Sequence, residues 1–222
     1  MPSMSPQTMS TNKSLILGVT GASGAIFARH MLQMLEAEAR VEKIHLVISG
    51  SGLKLLRDEL ELDVSKTAEI PAALAGGSTS KTHYLLDSDI GASIASGSYP
   101  VDGMVVIPCT TGCLAQIANG ISSTLIERAA DVCLKEGRKV ILAIRDTPFN
   151  RIHLQNMLRA QAAGAVIFPI IPSFYHRPKT IDELVTQFCC RVLALLGLEQ
   201  SQQFRWMGEP RQGLGARDWG KL

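Results

Sequence analysis

The strongest constraint on this chain is a rhythm of short, uninterrupted apolar runs separated by longer amphipathic stretches. Residues 15–19 (LILGV), 44–48 (IHLVI), 104–107 (MVVI), 139–144 (KVILAI) and 166–169 (VIFP) read as strands. Residues 24–38, 52–60, 123–136, 148–163 and 181–196 read as helices, with short helices leading up to Asn119. Strands that are apolar at every position, instead of every second one, must be covered on both faces, as in a parallel sheet between two helical layers. The expected fold is three-layer α/β/α, Rossmann-like (flavodoxin-like), with a doubly wound, mostly parallel sheet. Pro108 is expected to end its strand, and Thr147 to cap a helix whose first residue is Pro148. With 222 residues, the chain fits one domain over 14–200, after a polar segment 1–13 expected to be disordered. A tail over 201–222, carrying Arg205, Trp206, Arg211 and Trp219, shows no period. The segments 75–81 (AGGSTSK) and 170–179 (IIPSFYHRPK) read as loops.

Composition narrows the function. The net charge is +2, too small a field to recruit nucleic acid or an acidic membrane surface. Charged residues make up 19%, below the usual value of about 25%, so part of the surface is expected to be covered in an oligomer. No apolar run reaches the roughly 18 residues needed to cross a bilayer, and the first residues lack the core of a signal peptide. Five cysteines in an odd set without a CxxC pair suit buried thiols in a reducing, cytoplasmic compartment.

In a doubly wound sheet, ligands bind beyond the carboxyl ends of the strands, and the chemistry-bearing residues of this sequence fall there. Gly18-Val-Thr-Gly-Ala-Ser-Gly24 allows a tight turn into a helix whose N–H groups and positive dipole end would favour a phosphate or an electron-rich ring edge. It departs from GxGxxG, and the second strand ends in Ser49, not the acid that would hold an NAD ribose, so NAD is disfavoured. A plain, well-packed turn would look the same. In Cys109-Thr-Thr-Gly-Cys113, Thr110 and Thr111 can cap a helix or donate to a ligand, while the two cysteines lack the companions of a zinc site. Arg128, Asp131 and Lys135 share one helical face; they are either a solvated edge with an Asp131–Lys135 pair or two cations held by one acid to meet a phosphate. Arg145 follows a strand and points its planar fork toward the same crevice. His153 and His176 are single histidines of the kind common on helix faces and in loops, and neither is assigned a role.

Six ordered motifs closely resemble the flavin prenyltransferases, the UbiX/Pad family: TGASGA at 20–25, ASGSYP at 95–100, GMVVIPCTTGCLAQIANG at 103–120, LIERAADVCLKEGR at 125–138, RDTPFNRIHLQNML at 145–158 and GAVIFPIIPSFYHRP at 164–178. The resemblance implies a cytoplasmic homo-oligomer, usually a dodecamer, that uses reduced FMN as co-substrate. It joins the dimethylallyl group of dimethylallyl phosphate to flavin N5 and C6 without a metal. The prenylated FMN would serve a UbiD-type decarboxylase acting on a ubiquinone precursor or another aromatic acid. By position, FMN would be contacted by Gly21, Ala22, Ser23, Ser49, Thr110, Thr111, Gly112, Cys113 and Arg145. The phosphate would be met by Arg128, Lys135, Tyr175 and Arg191, some from neighbouring subunits, with Asp146 beside it. Ser23 and Glu59 would handle protons near N5 and at the ring-closing carbon, and Trp206, in a tail packed on the site or on a neighbouring subunit, would close it. Asp146 stands where many relatives carry Glu, and Ile90 where some place Trp over the prenyl group. A metal-free reaction agrees with the absence of a DDxxD-like cluster, the nearest acids being Asp87 and Asp89. Two rival functions are an FMN-dependent cysteine decarboxylase, which expects a catalytic His early in the first helix where this chain has only His30, and a non-catalytic FMN carrier.

Overall fold

The apolar runs become strands closed to solvent on both sides. In the computed structural model, which describes residues 12–207, β1 (Lys13–Val19), β2 (Val41–Ile48), β4 (Gly103–Cys109) and β5 (Lys139–Ile144) are buried along most of their length. They are joined by β3 (Thr82–Leu86) and β6 (Val166–Ile167) in one sheet of order 3-2-1-4-5-6, with every adjacent pair parallel. The three-layer, doubly wound fold expected from the sequence is the one observed, in the strand order of dinucleotide-binding sheets.

Successive side chains on each strand point to opposite layers. Leu15, Leu17 and Val19 pack with α1 (Ala25–Ala37), α2 (Gly50–Leu60), α3 (Ile70–Ala75) and α7 (Ile181–Leu195). Ile16, Met104, Val106 and Leu142 pack with α4 (Thr111–Ala118), α5 (Leu125–Lys135) and α6 (Arg151–Ala162). The α1 face Ala25, Ala28, Leu32 and Leu35 shows the spacing of a helix buried on one side.

Several sequence expectations are corrected. The fourth strand runs through Pro108 to Cys109, with an irregular register between Val106 and Cys109. Thr147 does not cap α6. Asn150 does, its Oδ1 accepting from His153 N at 2.9 Å, and Pro148 lies in the preceding loop. The stretch 61–102 also contains α3 and β3, which leave no clear period in the sequence because α3 spans under two turns and β3 is a half-exposed edge strand. Lys13 belongs to β1, so it is part of the fold; residues 1–11 of the expected segment, and Arg211 and Trp219 of the tail, lie outside the described residues.

An acid-sensitive tie closes α1. Glu38 accepts from Arg40 Nε and Nη2 at 2.7 Å each and from Gln200 Nε2 at 2.7 Å. The Arg40 guanidinium foremost holds its carboxyl down to about 2, against burial. A carboxyl whose folded pKa is lowered adds stability above its ordinary value of 4.5 and loses it as pH falls toward 2. Glu38→Gln is expected to flatten that part of the stability profile, read from thermal melts over this pH window; an unchanged acid slope would contradict it.

Candidate active site

The strand order reverses between β1 and β4, and the loops leaving these two strands form the crevice that doubly wound sheets use for ligands. Thr20 joins them. Its N–H and hydroxyl both donate to Pro108 O, at 3.1 and 2.8 Å, and its Oγ1 accepts from Thr110 N at 2.8 Å. This buried residue was not among the expected site residues; the signal for it in the sequence is a hydroxyl directly after the apolar run of β1. Thr110 in turn caps α4, accepting from Cys113 N at 3.0 Å. On the other side, Ser49 caps α2 by accepting from Gly52 N at 3.0 Å. Gly21 lies so close to the start of α2 that a Cβ would stand 2.4 Å from Ser51 Cβ, so only glycine fits there. Gly24, with φ of +121°, then turns the chain into α1.

The α1 N-terminus is not the open anion site expected from the sequence. Glu59, reaching across from the last turn of α2, accepts from Gly24 N at 2.9 Å and Ala25 N at 2.8 Å. Burial alone would raise its carboxyl. The Ser23 hydroxyl, the N–H groups of Ala25 and Gly24, and the charge of Arg145 together hold it below its ordinary value. Ser23 and Arg145 thus stand near enough to Glu59 to act on its carboxyl, although 36 residues separate Ser23 from Glu59 and 86 separate Glu59 from Arg145 in the chain. The backbone N–H of Arg145 donates to Cys109 O at 3.1 Å, setting its main chain beside the end of β4, while its side-chain Nε is buried without a partner. Asp146 accepts from Thr111 Oγ1 at 3.2 Å and Thr147 N at 2.8 Å, tying the α4 and α6 entry loops together.

Cys113 is buried, its thiol pushed well up by the Cys109 thiol beside it and by burial. Gly112 is exposed at the start of α4, and Ala22 is buried in the turn.

The cations expected around the phosphate fall into two groups on opposite faces of the sheet. On α5, Arg128 donates to Ala95 O at 3.2 Å and pairs with Asp131 at 3.0 Å, and Lys135 pairs with Glu136. The expected Asp131–Lys135 pair does not form, because each charge has a nearer partner. Across the sheet, Tyr175, Arg191 and Trp206 line one cavity of about 180 Å³, with the Tyr175 and Trp206 rings 5.7 Å apart. Asp87 and Asp89 are occupied by backbone, Asp87 Oδ1 accepting from Ile126 N at 3.0 Å and Asp89 Oδ1 from Gly91 N at 3.1 Å. Ile90 is exposed beyond the end of β3. His30 turns away from the crevice to Asp182 on α7, 3.1 Å distant. Among the described residues, no group of three or more His, Cys, Asp or Glu is placed to hold a metal, and no helix is long and apolar enough to cross a membrane.

A crevice at the strand switch, lined by a glycine turn, helix caps and an arginine at a strand tip, defines an α/β protein of the flavoprotein class, and residues 3–191 match the profile of the Flavoprotein family. Within that class, the chain belongs to the flavin prenyltransferases, enzymes that transfer a prenyl group. It is 39% identical over 192 residues to flavin prenyltransferase UbiX of Methanocaldococcus jannaschii, covering 86% of this chain and 97% of that protein. It is similar to the crystal structure of AnUbiX (PadA1) in complex with FMN and dimethylallyl pyrophosphate, with a TM-score of 0.78 and 38% identity over 89% of this chain and 98% of that one. A dodecameric FMN-dependent UbiX-like decarboxylase from Escherichia coli O157:H7 is similar with a TM-score of 0.75 and 41% identity, over 88% of this chain and 100% of that one.

Proposed function

We propose that this protein joins the dimethylallyl group of dimethylallyl phosphate to N5 and C6 of reduced FMN, without a metal, and passes the prenylated flavin to a UbiD-type decarboxylase in the cytoplasm. The observation that carries this function is the Ser23–Glu59 pair beside Arg145, whose buried Nε lacks a partner, at the strand switch. These residues fit FMN. Arg145 offers a donor to the flavin edge, Thr110, Thr111, Gly112 and Cys113 line the α4 entry, and Gly21, Ala22, Ser23 and Ser49 form the opposite wall. Reduced FMN, when bound, supplies the nucleophilic positions to which the five-carbon group is joined.

The protein's own groups then hold and move protons. The Glu59 carboxylate, kept ionised, accepts the Ser23 hydroxyl proton, and Ser23 Oγ passes a proton between Glu59 and flavin N5. Arg128 and Lys135 of one subunit and Tyr175 and Arg191 of another hold the phosphate, with Asp146 positioning the loop beside it. That arrangement requires a homo-oligomer, because the sheet separates the two sets within one chain. Exposed Ile152, Leu154 and Leu158 on α6 offer apolar surface for such assembly. Trp206, over Tyr175, closes the pocket against water, which would quench an allylic cation.

Anaerobic incubation of protein, reduced FMN and dimethylallyl phosphate without metal, followed by mass analysis of the flavin, tests the proposal. The flavin is expected to gain one prenyl unit, and an unchanged mass overturns it. Ser23→Ala is expected to retain FMN while slowing this conversion about 10²-fold or more, since Glu59 keeps its backbone donors and the relay hydroxyl is lost. Flavin loss in Ser23→Ala would remove the relay role.

A further inference from the structure

His176 occupies a setting that no protein group explains. It follows Tyr175 in a turn closed by Arg177 N donating to Phe174 O at 2.9 Å, and Arg177 itself adopts φ of +52°. Left-handed backbone at a non-glycine residue persists where the surroundings impose it, and such strain gathers at ligand sites. The turn puts both Tyr175 and His176 on the wall of the cavity that Arg191 and Trp206 also line. Both ring nitrogens of His176 are buried and unpartnered, a state that costs stability unless a ligand satisfies it.

The polar neighbours do not supply that partner. Gln187 is consumed by the 202–204 segment, donating to Gln202 O and accepting from Phe204 N at 2.8 Å each. Asp182 and Glu183 border the adjoining cavity with His176, but Asp182 pairs with His30, and Glu183 accepts from Lys179 N at 2.6 Å. Arg205 pairs with Glu199 at 2.5 Å. Among the described residues, Arg191 makes no ion pair. The groups lining the cavity with His176 that have open capacity are thus the hydroxyl of Ser173, the phenol of Tyr175 and the guanidinium of Arg191, beside the exposed Arg177. All are donors to an anion. At about 180 Å³ the cavity is smaller than the roughly 300–1,000 Å³ of drug-sized sites, suiting a phosphate and not a three-ring flavin.

Granted the prenyl-transfer function proposed for this site, we propose that His176 is a further phosphate ligand, binding the allylic ester as the imidazolium and giving its proton to the phosphate as it departs. The allylic C–O bond breaks with both electrons kept by oxygen. A monoester dianion would leave as the trianion, and the proton from His176 converts it to hydrogen phosphate while the imidazole returns to neutral. The allylic carbon bonds to flavin N5, whose proton goes to the Ser23–Glu59 pair.

Calorimetric binding of dimethylallyl phosphate to the FMN-loaded oligomer tests this without turnover when the flavin is oxidised. Wild-type affinity is expected to rise as pH is lowered, because only the protonated imidazole donates from both ring nitrogens. His176→Gln is expected to bind about tenfold more weakly and to lose that pH slope. Arg191→Ala should also bind more weakly but retain the slope. Wild-type affinity and slope in His176→Gln, with weakening in Arg191→Ala, would overturn the role of His176 and leave the phosphate site standing. No weakening in either variant would remove both. His176→Asn, with flavin retention as the check on folding, gives the same comparison should glutamine disturb the turn.

Discussion

Glu59→Gln is expected to lower turnover by about 10²- to 10⁴-fold, the range for a lost acid–base group, while FMN remains bound. The two effects separate because the residue does two things. One carboxylate oxygen accepts the N–H groups of both Gly24 and Ala25, and an amide oxygen can keep those bonds. The amide cannot take a proton from Ser23, so the relay stops although the turn stays folded. The pH dependence has a definite sign. Ser23, the α1 N–H groups and Arg145 hold the Glu59 carboxyl below its ordinary value against burial, so wild-type activity should persist through the normal carboxylate range and fail only at lower pH. Arg145→Ala should instead release flavin, because it removes the donor whose Nε has no protein partner. Flavin content and single-turnover rate, measured together, check both variants. Equal flavin loss in Glu59→Gln and Arg145→Ala would end the division of roles.

The second large effect is recovery of activity in mixed oligomers. Lys135 ends α5 four residues before β5, on the sheet face that α5 covers, whereas Arg191 lies on α7 across the sheet. No single chain can bring the two to one phosphate. Lys135→Ala and Arg191→Ala should each lose most activity alone. Co-expressed, they should form some sites with both intact residues, about a quarter in a random equal mixture if two subunits build each site. Activity in the co-expressed sample above that of either variant checks this expectation. No recovery, with mixed assembly demonstrated by differently tagged chains, would place both residues in one subunit's site or remove one of them from the reaction.

How much of this protein its sequence determines differs from level to level. The fold class was legible because LILGV, MVVI and KVILAI are apolar at every position, and a buried parallel sheet satisfies such runs. The family was legible because six motifs recur in order at fixed spacing. Less visible were α3 and β3, whose short or half-exposed segments carry too few apolar residues to show a period. Local spacing also misled at Thr147, where a proline two residues before the true cap imitated a helix start, and at Asp131, where the correct helical spacing to Lys135 lost to the nearer Arg128 and Glu136.

The chain by itself therefore settled which layers form and which residue types stand at the strand tips, since burial and periodicity act over a few neighbouring positions. Only the tertiary structure decided that Glu59 closes the α1 N-terminus, that Thr20 locks two loops together, that the basic residues of α5 and α7 lie on opposite faces of the sheet, and that His176 faces a cavity with no partner. Each of these depends on where distant segments meet, and hydrogen bonds and charge pairs are set by that placement within a few ångströms, a distance that spacing along the chain does not encode.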